Sequence, residues 1–139
     1  MERPLLDTSV FSTYKDQIDK NLRAFGFSSV VFYELIASLI DESTLKKYLL
    51  WQTEFVRTDR LFTPTRTDWI ASAKAVRRLR HLNLINKNLA STALQNDALI
   101  ARSATMHKCF VVTENIRDFS LLQKVMSKLE VIPAKEYFG

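Results

Sequence analysis

Glycine is almost missing from this chain, with two residues in 139, Gly26 and Gly139. That scarcity excludes a P-loop, a GxGxxG dinucleotide turn and a glycine-built nucleophile elbow. Phosphate chemistry, if present, must rest on side chains and metal instead of a backbone cradle. Cysteine occurs once, as Cys109 in the apolar stretch CFVVT, so no disulfide can close within the chain. A buried thiol in a reducing compartment is the expectation. One cysteine and two histidines, His81 and His107, cannot build a structural zinc site. No apolar run approaches the roughly 20 residues of a membrane helix. The opening residues MERP lack the basic and apolar parts of a signal peptide. A cytoplasmic protein with no membrane association is expected.

Hydrophobic residues make up 47% of the chain and charged residues 25%, ordinary values for a folded protein. Residues 1–139 are expected to form a single domain. The net charge of +5 suits a polyanionic partner. The excess has a location, because Arg77, Arg78, Arg80, His81, Lys87, Arg102 and Lys108 fall in one third of the chain. Arg77, Arg78, Arg80 and Arg102 are the candidate contacts to a nucleic-acid backbone. A solvated helix face explains the same charges equally well.

Short apolar runs at 4–6, 27–31, 60–63, 109–112 and 129–132 read as strands. Amphipathic spacing predicts helices over 16–25, 32–40, 43–56, 67–80, 98–107 and 118–128. Gly26 is expected to stop the first helix. Ser43 is expected to cap the helix over 43–56, and Thr67-Asp68 the helix that follows Pro64. That helix carries an apolar stripe of Trp69, Ile70, Ala73, Val76 and Leu79. Leu84-Ile85 is an apolar island with no assigned role. Strands alternating with helices imply an α/β fold, a three-layer α/β/α sandwich around a parallel sheet.

In such a sheet the strand C-termini and helix N-termini share one edge, where ligands bind. Asp7 lies just past the first strand, and Glu34 in the helix after the second. Asp97 is expected to open its helix, and Asp118 to begin the helix after CFVVT. All four carboxylates therefore fall on one rim. Taken singly, Asp97 and Asp118 read as helix caps. Glu34 interrupts the apolar segment VVFYELIASLI, and Asp7 follows two leucines, so each needs a partner. Crowded carboxylates stay ionised only when positive charge compensates them, and a hard divalent cation with oxygen ligands is the simplest compensation.

LLDTSVF at 5–11, SSVVFYELIAS at 28–38, LQNDALIARSA at 94–104 and FVVTENIRDF at 110–119 resemble, in order, the four motifs of PIN domains. The nearest likeness is to VapC-type toxins of toxin–antitoxin pairs, and it covers almost the whole chain. The resemblance implies ribonuclease activity, an acidic pocket for Mg2+ or Mn2+, RNA as substrate, a small antitoxin protein as partner and a homodimer. Asp7, Glu34 and Asp97 take the places of the principal acids, catalytic and metal-binding, and Asp118 that of the variable fourth. Thr113 and Asn115 match positions that orient the acids, and Ser9 joins them. The interval from Asp7 to Glu34 is short for such a protein, so an early helix is expected to be abbreviated. Ser38 stands where a small glycine is common.

Two other readings compete. A catalytically silent PIN-like module would bind RNA or protein without cutting, but a negative pocket gains such a module nothing. A phosphoacceptor receiver would need paired early acids and a distal lysine, and CFVVTEN has no lysine there. Trp51, Phe55, Phe62 and Trp69 are assigned to core or interface packing, with base stacking as the alternative. The apolar residues of the 43–56 helix are the candidate dimer surface.

Overall fold

The computed structural model describes residues 2–86 and 91–139. Its centre is β1 (Arg3–Leu6), whose Leu5 and Leu6 are fully buried. β1, β4 (Cys109–Thr113) and β5 (Val131–Pro133) form a parallel sheet in the order β1-β4-β5. Leu6 pairs with Val112, and Thr113 with Pro133. β2 (Phe27–Ser28) and β3 (Leu61–Phe62) form a second parallel pair. A parallel bridge from Leu5 to Gly26, with Gly26 N donating to Pro4 O at 2.9 Å, ties that pair to the other edge of β1. Continuous apolar strands such as CFVVT suit this position, since a parallel sheet covered by helices buries both faces.

Seven helices flank the sheet among the described residues: α1 (Lys15–Lys20), α2 (Ser29–Ala37), α3 (Glu42–Arg57), α4 (Arg66–His81), α5 (Thr92–Met106), α6 (Ile116–Gln123) and α7 (Ala134–Phe138). The α/β/α arrangement read from the sequence is the one observed. The early helix is indeed short, six residues in α1. Aromatic packing fills the space between the β2–β3 pair and α3. Phe27 stacks on Phe55 with ring centroids 4.0 Å apart, and the guanidinium of the buried Arg60 covers the other side of Phe55 at 4.7 Å.

Several boundaries differ from expectation, and each has a local cause. Gly26 does not stop a helix through a left-handed φ. It admits a close approach, because a Cβ there would stand 2.7 Å from Cε2 of Phe62. Residues 29–31 belong to α2, since Ser28 caps it by accepting from Val30 N at 3.1 Å. Asp41, not Ser43, caps α3, and hydrogen bonds from Thr44 and Ser43 hold its carboxyl down at about 2. Thr65 caps α4, with Asp68 closing a reciprocal capping box.

Asp68 of that box lies inward on α4, where Arg102 of α5 pairs with it. The buried face is Asp68, Ser72, Ala75, Val76 and Leu79, while Trp69 and Ile70 stand exposed at 56% and 55%. Ile85 packs partly against the core beside the exposed Leu84. Ser91 caps α5, six residues before Asp97. α6 ends at Gln123, before the predicted 128, and α7 follows Pro133, where no helix was expected.

Candidate functional site

β1 ends at Leu6, and the next residue, Asp7, is 3% exposed. A 3-10 turn, Thr8–Val10, begins immediately and sets Thr8 and Ser9 beside the sheet edge. β4 ends at Thr113 on the same edge, with Asp7 N donating to Val112 O at 3.0 Å. Two hydroxyls converge on one oxygen of Asp7. Ser9 Oγ and Thr113 Oγ1 each donate to Asp7 Oδ2 at 2.8 Å. Thr113 Oγ1 accepts in turn from Asn115 N at 2.8 Å, and Ser9 Oγ accepts from Glu114 N at 3.0 Å. The loop after β4 is thereby sewn to the turn after β1.

Asn115 carries the connection further. Its Nδ2 donates to Asp97 Oδ2 at 2.9 Å and to Asp118 Oδ2 at 3.1 Å. Asp118 lies in the first turn of α6, as expected. Asp97 does not open its helix; it lies on the buried face of the second turn of α5, 5% exposed. Simple capping therefore does not explain it. Glu34, in the second turn of α2, is half-buried. Thr8 Oγ1 donates to its Oε1 at 2.6 Å, and Asn96 Nδ2 to its Oε2 at 3.3 Å.

Thr8 and Asn96 went unnoticed in the sequence. Each is the immediate neighbour of a singled-out acid, Asp7 and Asp97, and that adjacency was the available signal. Ser9, Thr113 and Asn115 do meet the acids, at the distances given above.

The electrostatics set this cluster apart. Burial, followed by the charges of Asp7, Asp118 and Glu34, raises Asp97 from 3.8 to about 8, against the opposing hydrogen bond from Asn115. Every hydrogen bond shown to the four acids comes from a neutral hydroxyl or amide. Among the described residues, none of the four forms an ion pair. The donor set is thus all oxygen, and among the described residues no cationic side chain pairs with it. That chemistry fits a hard divalent cation. Among the described residues, no three His, Cys, Asp or Glu side chains already close around one point. A fully protein-made cage is therefore not what the centre offers. Mg2+, which usually keeps several waters and takes one or two carboxylates, matches an open set of this kind.

The basic residues divide between two clefts on either side of α4. Arg77 and Arg80 line one of about 260 Å³ with Trp69, Val76 and Leu99. Arg78 and Arg102 line the other, of about 500 Å³, with Lys74 and Lys128. Arg102 is paired, its Nε 2.9 Å from Asp68 Oδ1. Burial pushes the Asp68 carboxyl up, but hydrogen bonds from Thr65 and Arg102 outweigh it and hold the group below its ordinary value. Arg102 thus serves the α4–α5 contact as described. Lys87, counted with the basic cluster, lies outside the described residues. His107 stacks on Phe62 at 4.0 Å, away from the acids. Cys109 is buried, and burial raises its thiol to about 11, as an inert core residue requires.

No family model and no curated protein matches the chain. Solved structures do share its fold. The DNA-bound VapBC of Salmonella typhimurium aligns over 96% of this chain and 99% of that one, with a TM-score of 0.63 at 17% identity. FitAB bound to a DNA fragment aligns over 94% of each chain, with a TM-score of 0.64 at 17% identity. VapBC2 of Rickettsia felis, bound to a fragment of its promoter, aligns over 94% of this chain and 97% of that one, with a TM-score of 0.61 at 19% identity. The fold is accordingly shared with chains of these assemblies, along nearly the whole length. None of the helices among the described residues is long and apolar enough to cross a membrane.

Proposed function

We propose that this chain is a metal-dependent endoribonuclease, the toxin of a toxin–antitoxin pair. One observation carries the proposal. Four carboxylates from four separate elements gather at the C-terminal edge of a parallel sheet, held only by neutral donors, so that their charge calls for a cation. The likeness to VapBC and FitAB assemblies supports the toxin role and a small antitoxin partner. RNA as substrate and a homodimer follow from the PIN resemblance of the motifs.

Asp7 and Asp97 would hold Mg2+ or Mn2+, with Glu34 and Asp118 as direct or water-mediated ligands. The cation, when bound, lowers the pKa of its water and neutralises charge on a scissile phosphodiester. The protein's own part is positioning. Ser9 and Thr113 fix the orientation of Asp7, and Thr8 and Asn96 that of Glu34. Asn115 keeps Asp97 and Asp118 side by side in the absence of a cation. Such supporting hydrogen bonds matter about as much as the ligands, their loss typically costing 10–100-fold in affinity or activity.

The silent-module alternative keeps the fold but leaves four mutually repelling carboxylates without a reason. The test is cleavage of a mixed RNA pool in Mg2+ or Mn2+, with EDTA and Asp97→Asn as controls. Cleavage that disappears in both controls is the expected result. Cleavage that survives either would remove the acids from the chemistry.

A further inference from the structure

Trp69 is the wall shared by two adjoining cavities. One, of about 260 Å³, continues to Arg77 and Arg80. The other, of about 330 Å³, continues past Leu99 and Asn96 to Ser29, Tyr33 and Thr63. Leu99 also lines both, two residues after Asp97. Asn96 touches both worlds, since its side chain lines the second cavity and donates to Glu34 Oε2. The two cavities thus adjoin along one cleft face at Trp69 and Leu99, and Asn96 places the second next to Glu34 of the acidic centre.

Three features indicate what the cleft takes. Trp69 and Tyr33 remain 56% and 71% exposed, although aromatics of this size ordinarily bury most of their surface. Among the described residues, the lining includes two arginines and no carboxylate. Finally, Arg80 Nε is buried without a hydrogen-bond partner, a donor that the fold itself does not satisfy. Buried donors left unpaired are costly, and a ligand acceptor would relieve that cost. α4 packs antiparallel to α5, as the pairs Asp68–Arg102 and Ser72–Ala98 show. Arg77 and Arg80 therefore lie toward the end of α5 that carries Asp97.

We propose that this cleft face is a subsite for unpaired RNA, in which Trp69 stacks on a base while Arg77 and Arg80, about two to three turns further along α4, engage the backbone of neighbouring nucleotides. This rests on the nuclease reading for its substrate. Aromatic platforms interleaved with cations bind single strands with little regard to sequence. A duplex keeps its bases stacked inside, out of reach of the indole.

The binding arm uses the full chain carrying Asp97→Asn, with and without Trp69→Ala, in Mg2+. Anisotropy of a labelled single-stranded ribo-oligonucleotide reports affinity, and the same sequence as a duplex is the control. Trp69 is exposed, so its replacement leaves the core intact. Trp69→Ala weakens single-strand binding on the order of 10-fold, and Trp69→Phe restores most of it. On the Asp97 background the same change raises KM for a loop substrate more than it lowers kcat. Trp69-dependent binding without any metal-dependent cleavage would end the nuclease reading and keep the subsite. Acid-dependent cleavage with Kd and KM unmoved by Trp69→Ala would overturn the subsite alone, leaving the cleft to a protein segment.

Discussion

Asp97 is held where an ionised carboxylate is disfavoured by burial and again by three neighbouring acids. A linkage follows. Its folded pKa of about 8 lies above its ordinary 3.8, so the folded state holds a proton that the unfolded chain releases. In the metal-free protein this favours folding fully below pH about 4, and the benefit is lost as pH rises through about 8. Asp97→Asn removes the charge while keeping an acceptor for Asn115. In EDTA, thermal melts between pH 5 and 9 should show the native melting temperature falling with pH and the variant's staying flatter. At pH 8 the variant is expected to melt roughly 3–8 °C higher. A variant less stable than the native chain throughout would mean that Asp97 is held by contacts that outweigh the repulsion. More stability with no cleavage is the signature of a residue kept for function at a cost to the fold.

At the scale of elements, the β1–β2 approach is the most demanding junction, because it brings the two halves of the sheet together at Gly26. The absent side chain there leaves room for the Phe62 ring, with Cε2 at 2.7 Å from an ideal Cβ. Gly26→Ala should cost about 1–3 kcal/mol, by overpacking against the ring. Urea unfolding checks this, with an unchanged m-value expected. A neutral result would show that Phe62 turns aside freely. Elements also explain why the sequence reading slipped at their ends. Capping side chains, not apolar spacing, set the starts of α3, α4 and α5, through Asp41, Thr65 and Ser91. In α4, the part-buried pair Asp68–Arg102 overrode the apolar stripe, and Trp69 stands outward.

The whole molecule combines a net charge of +5 with a cluster of four acids that form no ion pair among the described residues. A cation that binds the folded state only stabilises it by mass action, about 2.7 kcal/mol at 100-fold its Kd. Mn2+ titration should raise the melting temperature of the native chain, more at pH 8 than at pH 5, where protons compete for Asp97. Asp7→Asn and Asp97→Asn should each abolish that rise, which circular dichroism melts can follow. A rise that persists in both variants would place the cation elsewhere on the protein.

The sequence by itself determined the α/β class, the order of the strands along the chain and the four acids, while Ser9, Thr113 and Asn115 came only with the PIN resemblance of the motifs. It could do so because apolar runs mark buried strands, and a carboxylate amid apolar residues signals an unmet need for a partner. Thr8 and Asn96 were hidden because a hydroxyl or amide beside an acid has no distinctive pattern until both chains of contacts are in place. The place of Asp97 in the second turn of α5 depended on Ser91, which starts the helix a turn earlier than apolar spacing implies. Only the tertiary structure decided that Arg102 is paired with Asp68 while Arg80 keeps an unsatisfied buried nitrogen. Both outcomes depend on how α4 rotates against α5. That rotation is set by which polar groups find partners across the interface, and no local run of residues encodes it.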